Sequence, residues 1–137
     1  MDREGHDKRH PILVAVSLQN MKRRALIRRE NVLGWGSISS YSPRPCYSGI
    51  EEFSVYVERI SRRNGVGRAL TKALVHEAKR LGYWKIIGRI FAFNVASRNL
   101  CRSCGFREVG VHRKHGKLGE RWFDVVVVEK LIHENLT

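Results

Sequence analysis

The sequence predicts a mixed α/β protein in which short strands flank two helices. Three observations support this class: runs of β-branched and aromatic residues recur at strand length, the hydrophobic period becomes helical after residue 65, and a second helix start follows later. The length of 137 residues suits one domain, and a hydrophobic fraction of 42% is typical of a globular protein. We therefore expect a single domain over residues 1–137 with the element order β-β-β-α-β-α-β-β.

The N-terminal region predicts two strands separated by a basic segment. Residues 12–16 (Ile-Leu-Val-Ala-Val) are typical of a strand buried on both faces, and residues 32–39 resume as a strand. Residues 17–31 are polar and strongly basic, which predicts a basic insert, either a long hairpin connection or a frayed helix. The charged residues 1–9 lack the apolar core of a secretory signal and are expected to be disordered.

A loop and a third strand follow. Residues 41–49 contain two prolines and a glycine, which predicts a loop. Residues 52–57 (Glu-Phe-Ser-Val-Tyr-Val) alternate as a strand does, with residues 52, 54 and 56 on one face and residues 53, 55 and 57 on the other. The carboxylates of Glu51 and Glu52 should therefore point to opposite faces.

Two helices and three strands are predicted in the second half. Apolar residues recur at helical spacing over residues 66–81, and Gly82 fits the stop after a helix. Residues 85–91 predict a strand, and Asn94 is a good N-cap for a helix over residues 95–103. The last strands are predicted over residues 106–111 and 122–131, on either side of a loop that contains His112, His115, Gly116 and Gly119.

The net charge of +13 is located in the middle of the chain. Residues 59–121 hold sixteen basic and three acidic side chains, a composition that attracts nucleic acid, anionic lipid or a phosphate-rich cofactor. No apolar run approaches the roughly 20 residues of a membrane span. Three cysteines are too few for a disulfide scaffold or an all-cysteine zinc site. We expect a cytoplasmic protein with no metal and no membrane contact.

A glycine- and arginine-rich segment between the third strand and the first helix predicts a phosphate site. Helix N-termini expose unpaired N–H groups, glycines let a phosphate approach the backbone, and arginines add charge-assisted hydrogen bonds. The segment differs from a Walker loop and from the dinucleotide fingerprint, and an ordinary glycine-containing helix start is the alternative. The residues concerned are Arg62, Arg63, Asn64, Gly65, Val66, Gly67 and Arg68.

Several separated motifs resemble one enzyme superfamily. Arg62-x-x-Gly65-x-Gly67 after a strand looks like the acetyl-CoA pyrophosphate loop of the GNAT superfamily of N-acetyltransferases, and Asn94-Val95-Ala96-Ser97 followed by Gly105-Phe106 is similar to its second signature. Four more segments resemble the phosphinothricin acetyltransferase family within it: Gly34-Trp35-Gly36-Ser37, Arg44-Pro45-Cys46-Tyr47, residues 52–57, and Trp122-Phe123-Asp124. The resemblance runs from about residue 10 to residue 131 and implies a GNAT-like acyltransferase fold.

The resemblance implies an acetyl-CoA-dependent N-acetyltransferase that acts on the amine of a small amino-acid-like molecule by direct attack in a ternary complex. Val55, Tyr56 and Val57 would bind the pantetheine arm, residues 62–68 would surround the pyrophosphate, and Asn94 would lie near the thiol end. The resemblance also implies that this chain forms a homodimer, through the C-terminal strands and the loop around Gly116.

Two residues are candidates for proton transfer. Glu52 matches the family position of the general base that deprotonates the acceptor ammonium, although a strand-edge carboxylate could instead pair with a basic side chain. Cys101 stands where the superfamily often has Tyr and relatives often have His, as the group that protonates the leaving thiolate. A thiol can do this chemistry. Alternatively, Cys101 is a small buried helix residue and solvent supplies the proton.

The acceptor side departs from the family pattern. Tyr41 and Tyr47 fall in the segment that would face the acceptor, but Ser48 stands where relatives commonly carry Arg. A typical member begins with a strand and two helices before the equivalent of His10, whereas this chain has nine mostly polar residues there, so the fold is expected to be N-terminally truncated. Three alternatives remain: a cofactor-binding remnant with little turnover, an acetyltransferase for protein N-termini or lysines, and a basic nucleic-acid-binding module.

Overall fold

In the part of the chain that the structure describes, a six-stranded mixed sheet and two helices form the frame. The computed structural model describes residues 10, 12–16, 32–57 and 65–137. The predicted disordered residues 1–9 and the predicted insert 17–31 lie outside the described residues. The strands are β1 (Ile12–Val16), β2 (Val32–Ser40), β3 (Ile50–Val57), β4 (Lys85–Phe91), β5 (Arg107–Leu118) and β6 (Arg121–Leu131), and the helices are α1 (Val66–Arg80) and α2 (Val95–Ser103).

The strand order is β1-β2-β3-β4-β6-β5, and one pair of neighbouring strands is parallel. β1, β2 and β3 pair antiparallel, as do β4, β6 and β5. β3 and β4 pair parallel, which requires a crossover, and α1 lies in the connection between them. The mixed α/β class and the order of elements predicted from the sequence are confirmed.

The hydrophobic period of α1 buries one face of the helix. Leu70, Leu74 and Ala78 are almost fully buried, and α1 packs on β1, β2 and β3. Gly82 adopts a φ of +88°, the left-handed conformation that ends many helices, and its N–H donates to the carbonyl of Lys79 at 3.1 Å. The predicted stop at this glycine is therefore confirmed. No helix in the described part of the chain is long and apolar enough to cross a membrane.

The core lies between the helices and one face of the sheet. Both helices supply buried residues to it, and the ring of Phe53 on β3 packs against that of Phe106 with centroids 5.0 Å apart. The core residues are Ile38, Leu74, Ala78, Tyr83, Ile86, Cys101, Phe106, Val126, Val128 and Ile132. The run at residues 12–16 was expected to be buried on both faces, which is wrong for Ile12: its side chain is exposed near the edge of the described sheet.

The C-terminal hairpin differs from the prediction. Residues 112–118 were expected in a loop, but β5 runs through to Leu118 and reverses at Gly119, so His112 and His115 lie on a strand. Two irregularities in the β5–β6 register absorb the extra residues. At the second one Lys114 has a φ of +48°, and its N–H donates to Asp124 Oδ1 at 2.8 Å. Glycine and charged residues are tolerated here because β5 is an exposed edge strand.

Glu129 joins three strands and makes the stability of the fold dependent on pH. Its carboxylate lies 3.1 Å from Lys85 Nζ and 2.8 Å from Arg107 Nη2. Burial raises the pKa of Glu129, but the hydrogen bonds and charges of these two cations together outweigh burial and leave the pKa below its ordinary value of 4.5. A carboxyl whose pKa is lower in the folded state stabilises the fold above its unfolded pKa, and this contribution is lost as the pH falls through the folded pKa.

Glu129→Gln should therefore lower the free energy of unfolding at pH 7 by about 1–2 kcal/mol and flatten its decline between pH 5 and pH 3. Urea denaturation at several pH values measures this. Glu120→Gln, at the exposed turn of the same hairpin, is the control and should follow the wild type. A Glu129→Gln variant whose stability declines as steeply as that of the wild type would contradict the prediction.

Candidate active site

A cleft opens where β3 and β4 separate. The two strands pair only over residues 50–52 and 85–87, and beyond Glu52 the paired register with β4 ends. Because β3 continues to pair with β2 as far as Val57, its other edge is left facing the gap. The resulting cleft has a volume of about 690 Å³, within the range of sites for small molecules and cofactors.

Four segments line the cleft. β3 contributes residues 53–57, the start of α1 contributes Gly65, Gly67, Arg68 and Thr71, β4 contributes residues 89–91, and α2 with its cap contributes Asn94, Ala96, Ser97, Leu100 and Cys101. The predicted cofactor residues Val55, Tyr56 and Val57 are thus brought together with the start of α1. Tyr56 also stacks on Trp35 of β2, with ring centroids 6.2 Å apart.

The N-terminus of α1 faces the cleft with backbone donors. Gly65 is the N-cap residue at a φ of +79°, and among the described residues no side chain caps the first N–H groups of the helix. Gly67 allows close packing, since a Cβ there would lie 3.1 Å from the Leu100 side chain. The partial positive charge and the backbone N–H donors of a helix N-terminus make this end of α1 suitable for an anion. The predicted residues Arg62, Arg63 and Asn64 lie outside the described residues.

Asn94 caps α2 at the wall of the cleft. Its Oδ1 accepts from the N–H of Ser97 at 3.1 Å, as the sequence predicted for an N-cap. This bond fixes the orientation of the amide and leaves its nitrogen as the donor available to a ligand. Asn94 therefore has a structural role as a cap, and its role toward a cofactor stays a prediction.

Glu52 lies where the paired part of β3 ends and forms a two-point ion pair with Arg89 of β4. Arg89 Nη2 lies 2.9 Å from Oε1 of Glu52, and Nη1 donates to Oε2 at 3.1 Å. The Glu52 side chain is 28% exposed and that of Arg89 is 50% exposed, so solutes can reach both. Glu51 points to the opposite face, where it is buried with Oε1 3.3 Å from His10 Nε2.

The Cys101 thiol lies at the wall of the cleft and is 4% exposed. Burial, with smaller contributions from Cys104 and Glu108, raises its pKa to about 11. The group is therefore protonated at neutral pH and can present an S–H. The same high pKa leaves little driving force for giving the proton away.

Tyr41 and Tyr47 contact each other but are not among the residues that line the cleft. Their rings meet edge to face with centroids 6.0 Å apart, and the guanidinium of Arg44 lies 5.7 Å from the Tyr47 ring. Both side chains are exposed. Their predicted contact with an acceptor stays a prediction.

Arg89 is a charged residue of the cleft that the sequence did not indicate. The signal available was weak: a single cation in the otherwise apolar stretch Ile86–Phe91, on the face opposite the buried Gly88. Its partner Glu52 is 37 residues away in the chain, so no local pattern connects them. In addition, no group of three or more potential metal ligands is found among the residues that the structure describes.

Comparison with known proteins identifies acetyltransferases in both sequence and structure. A model of the GNAT acetyltransferase domain matches residues 28–127. The chain is 33% identical over 98 residues to the L-methionine sulfoximine/L-methionine sulfone acetyltransferase of Pseudomonas aeruginosa, an alignment that covers 72% of this chain and 57% of the relative.

Two solved structures share the fold. The ribosomal-protein-alanine N-acetyltransferase of Brucella melitensis superposes with a TM-score of 0.77 at 32% identity, over 90% of this chain and 69% of that one. A GNAT superfamily phosphinothricin acetyltransferase from Sinorhizobium meliloti in complex with acetyl-CoA gives a TM-score of 0.79 at 26% identity, over 90% and 62%. The alignments thus span between 57% and 69% of the length of these relatives.

Proposed function

Because this chain belongs to the GNAT acetyltransferase family, we propose that it transfers the acetyl group of acetyl-CoA to the amine of a small amino-acid-like molecule. The observation that carries the proposal is the cleft between the diverging strands β3 and β4, with the N-terminus of α1 at its wall. An elongated ligand with an anionic portion fits such a site, since the edge of β3 offers backbone hydrogen bonds and the N-terminus of α1 carries partial positive charge.

The residues of the cleft suit acetyl-CoA in particular. The pantetheine arm would lie along the free edge of β3 at Val55, Tyr56 and Val57, where its amides can pair with the strand as another strand would. The pyrophosphate would lie at the N-terminus of α1, against Gly65, Val66, Gly67 and Arg68. Arg62, Arg63 and Asn64 belong to the same proposed site through their sequence positions.

Acetyl-CoA supplies an activated thioester, and the protein supplies proton transfer and orientation. We propose that Glu52 takes the proton from the acceptor ammonium, because Glu52 lies where β3 and β4 separate and its carboxylate is partly exposed to solvent. Backbone N–H groups of β3 along the cleft would polarise the thioester carbonyl. Asn94 would position the thiol end of the cofactor from the opposite wall.

Cys101 is proposed as a minor contributor that presents its S–H to the departing thiolate while solvent delivers the proton. Cys101→Ala should therefore lower kcat by less than about tenfold, since a general acid with a well-matched pKa contributes about 100-fold or more. Thiol release from acetyl-CoA measures this. A loss of kcat beyond about 100-fold, with unchanged acetyl-CoA affinity, would instead identify Cys101 as the general acid.

The names of the relatives support an amino-acid-like acceptor, and Tyr41 with Tyr47 is proposed as part of its site. A protein N-terminus is the second candidate acceptor, because the similar structure from Brucella melitensis is named for ribosomal-protein alanine.

We also propose a homodimer through β5 and β6, whose outer residues Val109, Val111 and Trp122 are exposed. The molar mass in solution, from light scattering, tests this last point, and a monomer at micromolar concentration would refute it.

The activity is tested by following thiol release from acetyl-CoA with a panel of acceptors. The panel holds phosphinothricin, L-methionine sulfone, L-methionine sulfoximine, proteinogenic amino acids and an alanine-initiated peptide. Turnover of one or more amino acids supports the proposal, whereas turnover of the peptide alone supports the second candidate. Acetyl-CoA binding without turnover of any amine would favour a cofactor-binding remnant, and tight binding of DNA without acetyl-CoA binding would favour a nucleic-acid module.

A further inference from the structure

The Glu52–Arg89 pair places opposite charges side by side at the mouth of the cleft. Backbone pairing between β3 and β4 ends at Glu52 and Ile87, and Arg89 lies two residues farther along β4. Its guanidinium reaches back to Glu52 on the face away from the helices, because Phe53 and Gly88 pack against each other on the helix-covered face. The pair is therefore accessible and lies at the beginning of the gap.

Arg89 has hydrogen-bonding capacity beyond its bond to Glu52. A guanidinium carries five N–H donors in a planar fork that matches a carboxylate, and Glu52 engages only Nη1 and Nη2. Half of the side chain is exposed, and it lines the cleft. Arg89 can therefore receive a second carboxylate without first breaking from its partner.

Among the described residues that line the cleft, the cations are Arg68 and Arg89. Arg68 belongs to the first turn of α1, where the cofactor phosphates are proposed to bind. The position after Tyr47, which the family resemblance associates with an arginine, holds Ser48. Arg89 is thus the cleft cation that lies beside the proposed base.

We propose that Arg89 is a specificity-determining residue that binds the acid group of the acceptor while Glu52 receives its ammonium. An amino acid zwitterion carries its two charges a few ångströms apart, which complements a carboxylate and a guanidinium in contact. The acid group of the acceptor would bind the N–H donors of Arg89 that Glu52 leaves open, and its ammonium would bind Glu52, so neither charge of the pair has to give up its partner. This inference rests on the proposed acetyltransferase function and names the group that the acceptor must carry.

The test compares each amino acid with its own carboxamide. The probes are L-methionine sulfone and L-alanine with their primary carboxamides, and kcat and KM are measured for the wild type, Arg89→Gln, Arg89→Lys and the control Arg80→Gln. Arg80 pairs with Glu77 on the outer side of α1, so the control removes a similar ion pair away from the cleft. The ratio of acid to amide efficiency is compared between proteins, which cancels the different basicity of the two amines.

Arg89→Gln should reduce the acid-to-amide ratio of kcat/KM by about tenfold or more, mainly by raising KM for the acid, because a charged hydrogen bond is lost. Arg89→Lys should restore part of this ratio, and Arg80→Gln should leave it unchanged. An unchanged ratio in Arg89→Gln, or an equal fall of kcat for acid and amide, would overturn the specificity role. If the wild type acetylates neither acid nor amide of either probe, the result counts against the proposed function as well, and the acceptor panel then separates the two failures.

Discussion

Replacing Glu52 with glutamine is expected to lower kcat by at least about 100-fold while acetyl-CoA affinity stays within about twofold. The amide keeps the size of the side chain and can still contact Arg89, but it cannot accept a proton from the acceptor ammonium. The residue lies at the start of the cleft and outside the set of side chains that line it, so the cofactor contacts should survive. Thiol release gives kcat, and calorimetry gives the affinity.

The matched control is Glu77→Gln. Glu77 pairs with Arg80 on the exposed side of α1, with Nη2 and Oε2 2.8 Å apart, so the substitution changes one charge in a similar ion pair without touching the cleft. Its kcat should stay within about twofold of the wild type. An activity of Glu52→Gln close to that of the control would show that Glu52 is a structural partner of Arg89 and that another group, or solvent, is the base.

Substituting Gly65 with aspartate is expected to weaken acetyl-CoA binding strongly, whereas asparagine at the same position has a small effect. Gly65 has a φ of +79°, a conformation that Asn and Asp tolerate better than other non-glycine residues, and a Cβ there meets no atom of the described residues within 4 Å. The two variants have nearly equal shape and both suit an N-cap. They differ in one negative charge at the terminus proposed to hold the pyrophosphate.

The expected difference is about 30-fold in the acetyl-CoA dissociation constant. Two unit charges about 4 Å apart interact with about 4 kcal/mol at an effective dielectric constant of 20, and salt and distance reduce this value. Calorimetric titration of both variants at two salt concentrations measures it, and the difference should shrink at higher salt. Equal affinities of the aspartate and asparagine variants would place the phosphates elsewhere.

The fold was predictable where local patterns are strong. The helix from Val66 was visible in its apolar period, and Gly82 and Asn94 marked its end and the start of the next helix because special backbone angles and caps restrict residue choice. The hairpin of β5 and β6 was less predictable. Its irregular register at Lys114 interrupts the alternation from which strands are recognised, although the ladder continues to Leu118.

The candidate site was predictable only in part. Glu52, Val55 and Gly65 were identified from motifs, and the structure brings their strand and helix start to the same cleft. The role of Arg89 depends on where β3 and β4 separate, which is a property of the whole sheet. Likewise, nothing in the sequence around Cys101 gives the degree of burial that raises its pKa to about 11.

Calorimetric titration of the full chain with acetyl-CoA is the decisive experiment for the proposed cofactor site, because it needs no knowledge of the acceptor. One-to-one binding is expected, with a dissociation constant between about 1 µM and 1 mM, as is common for enzyme substrates. Gly65→Asp is also expected to bind more weakly than Gly65→Asn. Absence of binding at millimolar acetyl-CoA, in a protein whose folding is verified by circular dichroism, would contradict the acetyltransferase proposal.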